Sequence, residues 1–598
     1  MAVEPVVICL SRSGEATAWR VAEILGAAVH GRMERVDRAH AYFENALDHV
    51  RMLFASGTPV VGVCAAGILV RAVAPVLHDK RTEPPVVAVP DDGSTVIPLL
   101  GGHRGANRLA RTIAEGLGAH AAVTTAGDVA MGVALDEPPV GYRLANGADA
   151  KGAMAVMLGG AGVSVTGENI FDVEDTGSGV ELLVTEADET GSETRLVYHP
   201  QRFALGLGCA RGCDVDEMWA LVQDVLHSND IAQGAIACVG SLDLKGDEPA
   251  MIETAARLGV PYRVFSAAEL EAQAGRLANP SDVVFAEVGC HGVSEGAALA
   301  LGGSGELVVE KTKTANATCA VVRSDAPIVE MAGRSRGKLS IIGIGPGQHS
   351  WRTPEASALV AEAEELVGYG LYIDLLGGLA YGKERSDFPL GGEEDRCRYA
   401  LEQAGKGKNV ALICSGDAGI YAMGALVFEL LDRGVDEMGV SDAAHRVEVV
   451  STPGVSALQG AAARAGAPLG HDFCAISLSD LLTPRADIVK RLKAAAEGDF
   501  VIAFYNPVSR RRRTLLAEAR DILLQHRPAD TPVMLASSLG RPEEHVRYRK
   551  LSELEVDEVD MLTVVLVGSS NSKLAQLGEG PRMYTPRGYA RKIDGDLS

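Results

Sequence analysis

The sequence predicts an α/β multidomain protein, and three observations point there. Runs rich in Val, Ile and Leu alternate with Ala-rich amphipathic stretches along the whole chain. Glycine is abundant at 68 residues and aromatics are scarce at 5%, the composition of short strand–loop–helix units. The length, 598 residues, is enough for several domains at roughly 150 residues each.

The elements follow in order. PVVICLSR reads as a strand and ATAWRVAEILGAAV as a helix. PVVGVCAAGILVRAVAPVL joins a buried strand to a helix, and VVAVPDDGSTVIPLL gives two strands around the Asp92-Gly93 turn. ANRLARTIAEGLG is a helix ended by Gly118. These make one α/β domain, 1–135. Residues 136–202 are poorer in helix signal: MAVMLGGAGVSVTG, GVELLVTEA and TRLVYHP read as strands of a small β-rich segment. A second α/β domain, 203–330, begins at FALGLGCARGCDVDEMWALVQDVL. Met331–Lys338 is rich in Gly, Arg and Ser and reads as a linker. KLSIIGIGPG starts a further α/β region, divided here into 338–450 and 451–598, with DFVIAFYNP and MLTVVLVG as buried strands of its second part.

Composition removes several function classes. Lys plus Arg is 56 against 79 for Asp plus Glu, a net charge of −23. Such a chain does not hold nucleic acid by bulk charge or lie on an anionic membrane, and an anionic substrate needs a local basic pocket. Ten scattered cysteines suit a reducing compartment. The N-terminus shows no signal-peptide pattern. The longest apolar run, Val60 to Val70, falls short of the roughly 20 residues a membrane span needs, so the expected location is the cytoplasm.

Gly343, Gly345 and Gly347 form GIGPG at a strand end, where glycine lets backbone approach a ligand. A dinucleotide loop would read G-x-G-x-x-G and open a helix directly. Here the third glycine comes one residue early, Pro346 intrudes, and the helix starts only at Thr353-Pro354-Glu355. Three other strand ends carry small or polar residues: Ser415-Gly416-Asp417-Ala418-Gly419, Thr452-Pro453-Gly454-Val455-Ser456-Ala457 and Tyr505-Asn506-Pro507. Ligands of open α/β sheets bind outside the carboxyl ends of strands.

GIGPG, SGDAGIY, TPGVSA, FYNP and TVVLVG, in this order over about residues 338–580, resemble the tetrapyrrole methyltransferase family. With SLSDLLTP and YNPVSRRRR, the region is most similar to the ring-contracting precorrin-3B C(17)-methyltransferase type. The resemblance implies two α/β domains, a homodimer, and S-adenosylmethionine as methyl donor. It places Gly343, Gly345, Pro346, Gly347, Gly416, Asp417, Ala418, Gly419, Ser456, Ala457 and Asn506 at that cofactor. The implied substrate is a carboxylate-rich macrocycle. Arg510 to Arg513 are consecutive guanidiniums, of which Arg510 and Arg513 are the candidates to bind it. His471, Asp472, His349 and Tyr505 are candidate proton donors for ring contraction.

In the first half, GILVRAVAPVLHDKR supplies Arg71, Lys80 and Arg81, and Gly101-Gly102-His103-Arg104-Gly105-Ala106-Asn107 opens a helix. A glycine loop at a helix N-terminus favours anions. Together with FALGLGCARGC, IACVGSLDLKGDEPAM, PYRVFSAAELEA and CHGVSEGAALAL, these segments resemble the cobalt-precorrin-5A hydrolase family over residues 1–325. That family opens a lactone on the macrocycle. His103 is the candidate base, with Lys80 or Arg71 stabilising the oxyanion.

Two patterns are set aside. Gly292–Gly296 matches G-x-S-x-G after what reads as a strand, VVFAEVG, but Ser294 stands too far past it to be an elbow nucleophile and reads as a helix N-cap. Cys209 and Cys213 have no second pair at zinc spacing, and no metal site is expected. Three functions therefore stand: a hydrolase–methyltransferase fusion acting on corrin precursors, a methyltransferase with a non-catalytic tetrapyrrole-delivery module, and a nicotinamide oxidoreductase.

Overall fold

The computed structural model of the chain describes residues 4–77, 83–124, 135–434, 437–509 and 513–589. Its contacts divide it into two compact units: 1–339 with 398–410 and 431–449, and 340–397 with 411–430 and 450–598.

The first unit opens with strands β1 (Val6–Cys9), β2 (Ala28–Arg32), β3 (Ala41–Phe43), β4 (Val60–Val63), β5 (Val86–Val89), β6 (Thr95–Leu100) and β7 (His120–Ala121). Their order is β3-β2-β1-β4-β5-β6-β7, with β1 to β5 parallel and β6 antiparallel to β5. Every residue of β4 and β5 is buried, as continuous Val runs require when helices cover both faces of a sheet. The helices Glu15–Leu25 and Ala106–Leu117 share one core with these strands and end at left-handed Gly26 and Gly118.

Next come β8 (Tyr142–Leu144), β9 (Val163–Thr166), β10 (Val180–Val184) and β11 (Arg195–Pro200), in the order β8-β11-β10-β9. The first part of MAVMLGGAGVSVTG, expected to be strand, is instead the end of a helix, Ala150–Leu158. Ala, Met and Leu are strong helix formers, and Ala150, Ala153 and Met157 fall on one helical face, packed against Leu182, Leu196 and Tyr198.

The six strands β12 (Phe203–Cys209), β13 (Ile236–Leu242), β14 (Tyr262–Phe265), β15 (Glu306–Lys313), β16 (Ala317–Arg323) and β17 (Arg334–Ser335) form a sheet in the order β15-β16-β12-β13-β14-β17. Two expectations change here. VVFAEVG is a helix, Asp282–Val288, because Ser281 caps its start and Gly289, at φ 78°, closes its end. The presumed linker supplies β17, which pairs antiparallel with β14. Ser294 is buried and is the first residue of the helix Ser294–Gly302; its side chain caps nothing.

The methyltransferase-like region has two sheets and a hairpin layer. Strands β18 (Lys338–Gly343), β19 (Glu365–Tyr369), β20 (Glu384–Phe388), β21 (Asn409–Cys414) and β22 (Glu448–Thr452) are ordered β20-β19-β21-β18-β22. The helix Pro354–Glu362 starts where its cap motif predicts: Thr353 Oγ1 accepts the Ala356 N–H at 3.1 Å. Residues 466–584 hold β23 (Gly466–Ala467), β24 (Phe473–Ser477), β25 (Val501–Tyr505), β26 (Pro532–Ser537), β27 (His545–Lys550), β28 (Thr563–Val567), β29 (Lys573–Leu577) and β30 (Gly580–Tyr584). Five of these form the sheet β24-β25-β28-β26-β27, with apolar clusters on both faces, and the rest form β23-β30-β29. Among the described residues no helix is long and apolar enough to cross a membrane.

Candidate functional site

Three strand-end loops of the second unit meet backbone to backbone. Gly345 and Gly416 exchange both hydrogen bonds, N–H to O at 3.1 and 2.8 Å, and both take positive φ, 77° and 71°. A side chain there would be strained, which explains glycine at both positions. A Cβ on Gly454 would lie 2.1 Å from the Gly416 carbonyl oxygen and 3.0 Å from that of Gly343. Gly343, Gly345, Gly416 and Gly454 therefore line a junction made of main chain alone.

Asp417 fastens this junction. Its Oδ1 accepts the Gly419 N–H at 2.8 Å and its Oδ2 the Gly454 N–H at 3.0 Å. The carboxylate thus acts on the loops, the turn role that short acidic side chains favour. Ala418 is buried, and its carbonyl accepts the Gly424 N–H at 2.9 Å. Ser456 and Gln459 form a reciprocal capping box that opens the helix Ala457–Ala465 beside the junction. Thr452, at the end of β22, is buried with its Oγ1 unpartnered.

The remaining sequence-derived residues divide. Pro346 gives its carbonyl to Arg541 Nε at 3.3 Å, and a Cβ on Gly347 would meet Arg541 Cγ at 2.7 Å. Asn506 sits exposed at φ 48°, donating from Nδ2 to Ser477 Oγ at 3.2 Å. Tyr505 takes the Leu458 N–H on its hydroxyl at 2.9 Å, and its ring lies 5.2 Å from Tyr421. Burial pushes the Tyr505 hydroxyl pKa up, and its bond to the Leu458 N–H braces the start of the helix. His471 is mostly exposed beside Asp472, at 3.4 Å, and His349 lies in an exposed turn. Arg510 lies outside the described residues. Arg513 is held by Asp557 at 2.7 Å and by the Val556 carbonyl at 3.3 Å, so its charge is already engaged. Sequence reasoning did not single out Arg541, for which the LASSLGRP run closing β26 was the available signal.

In the first unit, the Gly101–Gly105 loop lies at the amino end of β5, because β6 runs antiparallel to β5. A Cβ on Gly101 would sit 2.9 Å from Pro85 Cα. His103 has its backbone in the turn Gly102–Arg104, while its side chain and all of Lys80 lie outside the described residues. Arg71 is exposed in the last turn of the helix Ala66–Val73 and donates to the Gly67 carbonyl at 3.3 Å. At the carboxyl edge of the same sheet, where strand order reverses between β1 and β4, Asp91 accepts from Ser11 at 3.0 Å and also from Ser13. SRSGEA after β1 and PDDG after β5 carried that signal unread.

With this geometry in view, the comparisons are direct. The model for tetrapyrrole (corrin/porphyrin) methylases matches residues 338–555. A precorrin-3B C(17)-methyltransferase of Sinorhizobium sp. is 43% identical over 255 residues, covering 42% of this chain and 98% of the relative. This chain belongs to the tetrapyrrole methylase family. A cobalt-factor III methyltransferase of Priestia megaterium is 42% identical over 257 residues, 43% of this chain and 46% of that protein. The crystal structure of the methyltransferase CobJ is 37% identical, covering 42% of this chain and all of that one, with a TM-score of 0.39. Ahead of its methylase region, this family member matches the models for cobalamin synthesis G N-terminal, residues 48–128, and cobalamin synthesis G C-terminus, residues 203–322.

The methylase family uses S-adenosylmethionine, and the residues present fit it. The strand-end loops meet main chain to main chain at their glycines, and among the described residues the buried Thr452 Oγ1, two residues before Gly454, lacks a partner. The helix starting only at Pro354, past the turn His349–Trp351, suits such a neutral cradle better than a pyrophosphate on a helix N-terminus.

Proposed function

We propose that this chain is a bifunctional enzyme of cobalamin biosynthesis. Its C-terminal half methylates C(17) of precorrin-3B or cobalt-factor III with ring contraction. Its N-terminal half, built from the two cobalamin synthesis G regions, opens a lactone on a later macrocycle. The observation that carries this reading is the match to a precorrin-3B C(17)-methyltransferase along 98% of that relative's length.

S-adenosylmethionine supplies a methyl group on a positively charged sulfur. The backbone of Gly343, Gly345, Pro346, Gly347 and Gly416–Gly419 holds the donor, with Ser456, Ala457 and Asn506 at its margin. Asp417 keeps the loops in register. In-line methyl transfer needs alignment more than acid–base help, so rigid positioning by these loops is the protein's main contribution. In the other half, His103 serves as base, and Lys80 or Arg71 faces the developing oxyanion. Arg71 closes the helix that follows β4 and the His103 backbone lies at the amino end of β5, which favours this grouping over the Ser11–Asp91 edge. The five-part division at 135, 202, 330 and 450, a homodimer through the methyltransferase half and a cytoplasmic location complete the reading.

Mass spectrometry of products formed from metal-free and cobalt-loaded substrates, with labelled methyl donor, tests it. One labelled methyl on a contracted ring is expected. Absence of label with both substrates would end the methyltransferase reading. Unchanged lactone turnover in His103→Ala and Lys80→Ala would favour a delivery role for residues 1–325.

A further inference from the structure

The other arginines around the strand-end loops are either paired with an acid or buried in the fold. Arg464 pairs with Glu544 at 2.5 Å and lies 4.5 Å over the Trp351 ring. Arg352 is buried and donates Nε to Ser357 Oγ at 2.9 Å. Arg396, 2% exposed, gives its Nη atoms to Met423 Sδ at 3.3 Å and the Pro389 carbonyl at 3.0 Å. Arg541 differs. It follows the turn Ser538–Gly540, whose φ values of 49° and 70° swing the chain back over the Gly347 loop. Its Nε donates to Pro346 O, and its two terminal nitrogens meet no acceptor among the described residues. No described carboxylate lies within ion-pair distance of it. Glu544, which accepts the Gly540 N–H at 2.7 Å, is already taken by Arg464.

Tyr372, half-buried and with Tyr369 packed edge-on at 5.2 Å, lies within electrostatic reach of Arg541. The charges of Arg541 and Arg396 both act on its hydroxyl, opposing the upward push of burial on its pKa. A half-buried guanidinium with an open fork is matched by a planar two-oxygen anion. In so acidic a chain, an unpaired guanidinium over the glycine loop is poorly explained as surface charge.

We propose that Arg541 is a carboxylate anchor of the methyltransferase site, its open guanidinium edge receiving a carboxylate of a bound reactant over the Pro346–Gly347 loop. This rests on the methyltransferase reading above. Two reactants there carry the required group: the rim acids of the macrocycle and the α-carboxylate of the methionyl donor.

Equilibrium binding to the full-length chain separates the sources. Uroporphyrin, an octacarboxylic ring, is followed by fluorescence quenching and S-adenosylhomocysteine by calorimetry, for wild type, Arg541→Gln and Arg541→Lys, with thermal melts alongside. Arg541→Gln is expected to weaken one ligand about 10- to 100-fold and leave the other within twofold. Arg541→Lys should recover part of the loss, since it keeps the charge but not the fork. Loss of uroporphyrin alone assigns the macrocycle; loss of S-adenosylhomocysteine alone assigns the donor. Both affinities within twofold of wild type would overturn the proposal. So would both falling together with the melting temperature in both variants, the behaviour of a brace. Wild-type chain that fails to quench uroporphyrin removes the macrocycle as source. Neither measurement needs turnover, so a chain that binds these probes through Arg541 yet transfers no methyl to precorrin-3B would fail the reading above and not this one.

Discussion

Gly454→Ala isolates the claim that the donor pocket is a main-chain junction. The new Cβ would stand 2.1 Å from the Gly416 carbonyl oxygen, where real Cβ contacts essentially never come below 3.0 Å. Both atoms belong to backbone, so no side chain can swing aside and the loops must part by about 1 Å. Gly454 does not take positive φ, so the cost is steric and not conformational. Overpacking of this kind costs about 1–3 kcal/mol. Parting the loops also breaks the Gly454 N–H to Asp417 bond, and hydrogen bonds to charged groups are worth about 1.5–3 kcal/mol. Each loss alone corresponds to about tenfold or more in affinity. Calorimetry with S-adenosylhomocysteine should therefore show binding weakened at least tenfold, and labelled-methyl transfer should fall with it. Gly578→Ala is the control, because a Cβ there meets nothing within 4 Å and its φ is not positive. Wild-type affinity and rate in Gly454→Ala would refute the junction as the donor site.

Asp417→Asn exchanges one of two N–H acceptors for an N–H donor facing a donor, and S-adenosylhomocysteine affinity should fall about tenfold; an unchanged dissociation constant would mean the carboxylate does not set the loops. Ser456→Ala removes one arm of the capping box and should cost about 1 kcal/mol, read as a melting-temperature drop of about 2–4 °C, with no drop counting against the cap. In the first unit, His30 and His49 are buried and share a 2.9 Å hydrogen bond. Burial, followed by the neighbouring histidines, pushes His30 down to about 3, and burial pushes His49 down to about 4. Both folded values lie below the unfolded value of about 6.5, so the unfolded chain takes up protons first. The stabilisation is present above about pH 6.5 and is lost as pH falls toward the folded values, at about 1.4 kcal/mol per unit of depression. Melts from pH 7 to pH 4.5 should show this loss, and His49→Gln should flatten it; equal slopes in both proteins would reject the assignment.

Much of this architecture was legible because its signals are local. The Thr353-Pro354 start, the Gly118 stop and the Asp92-Gly93 turn depend on a few neighbouring residues, and the folded chain uses each where the sequence marks it. The misread segments, Ala150–Leu158 and Asp282–Val288, are short apolar runs whose spacing suits either state; caps, helix propensity and a facing sheet chose helix. The glycine motifs were legible for the same reason, since each lies at the end of its own strand.

By itself, the sequence determined the α/β class, the glycine loops at strand ends and the family resemblance, all written in short contiguous stretches. Only the tertiary structure decided that Asp417 ties two loops together, that Tyr505 braces a helix and that Arg513 is engaged by Asp557. It alone brought Arg541 onto Pro346, 195 residues away in the chain. The reason is physical: a charge is available or neutralised according to what packs beside it, and those neighbours come from strands that only folding brings together.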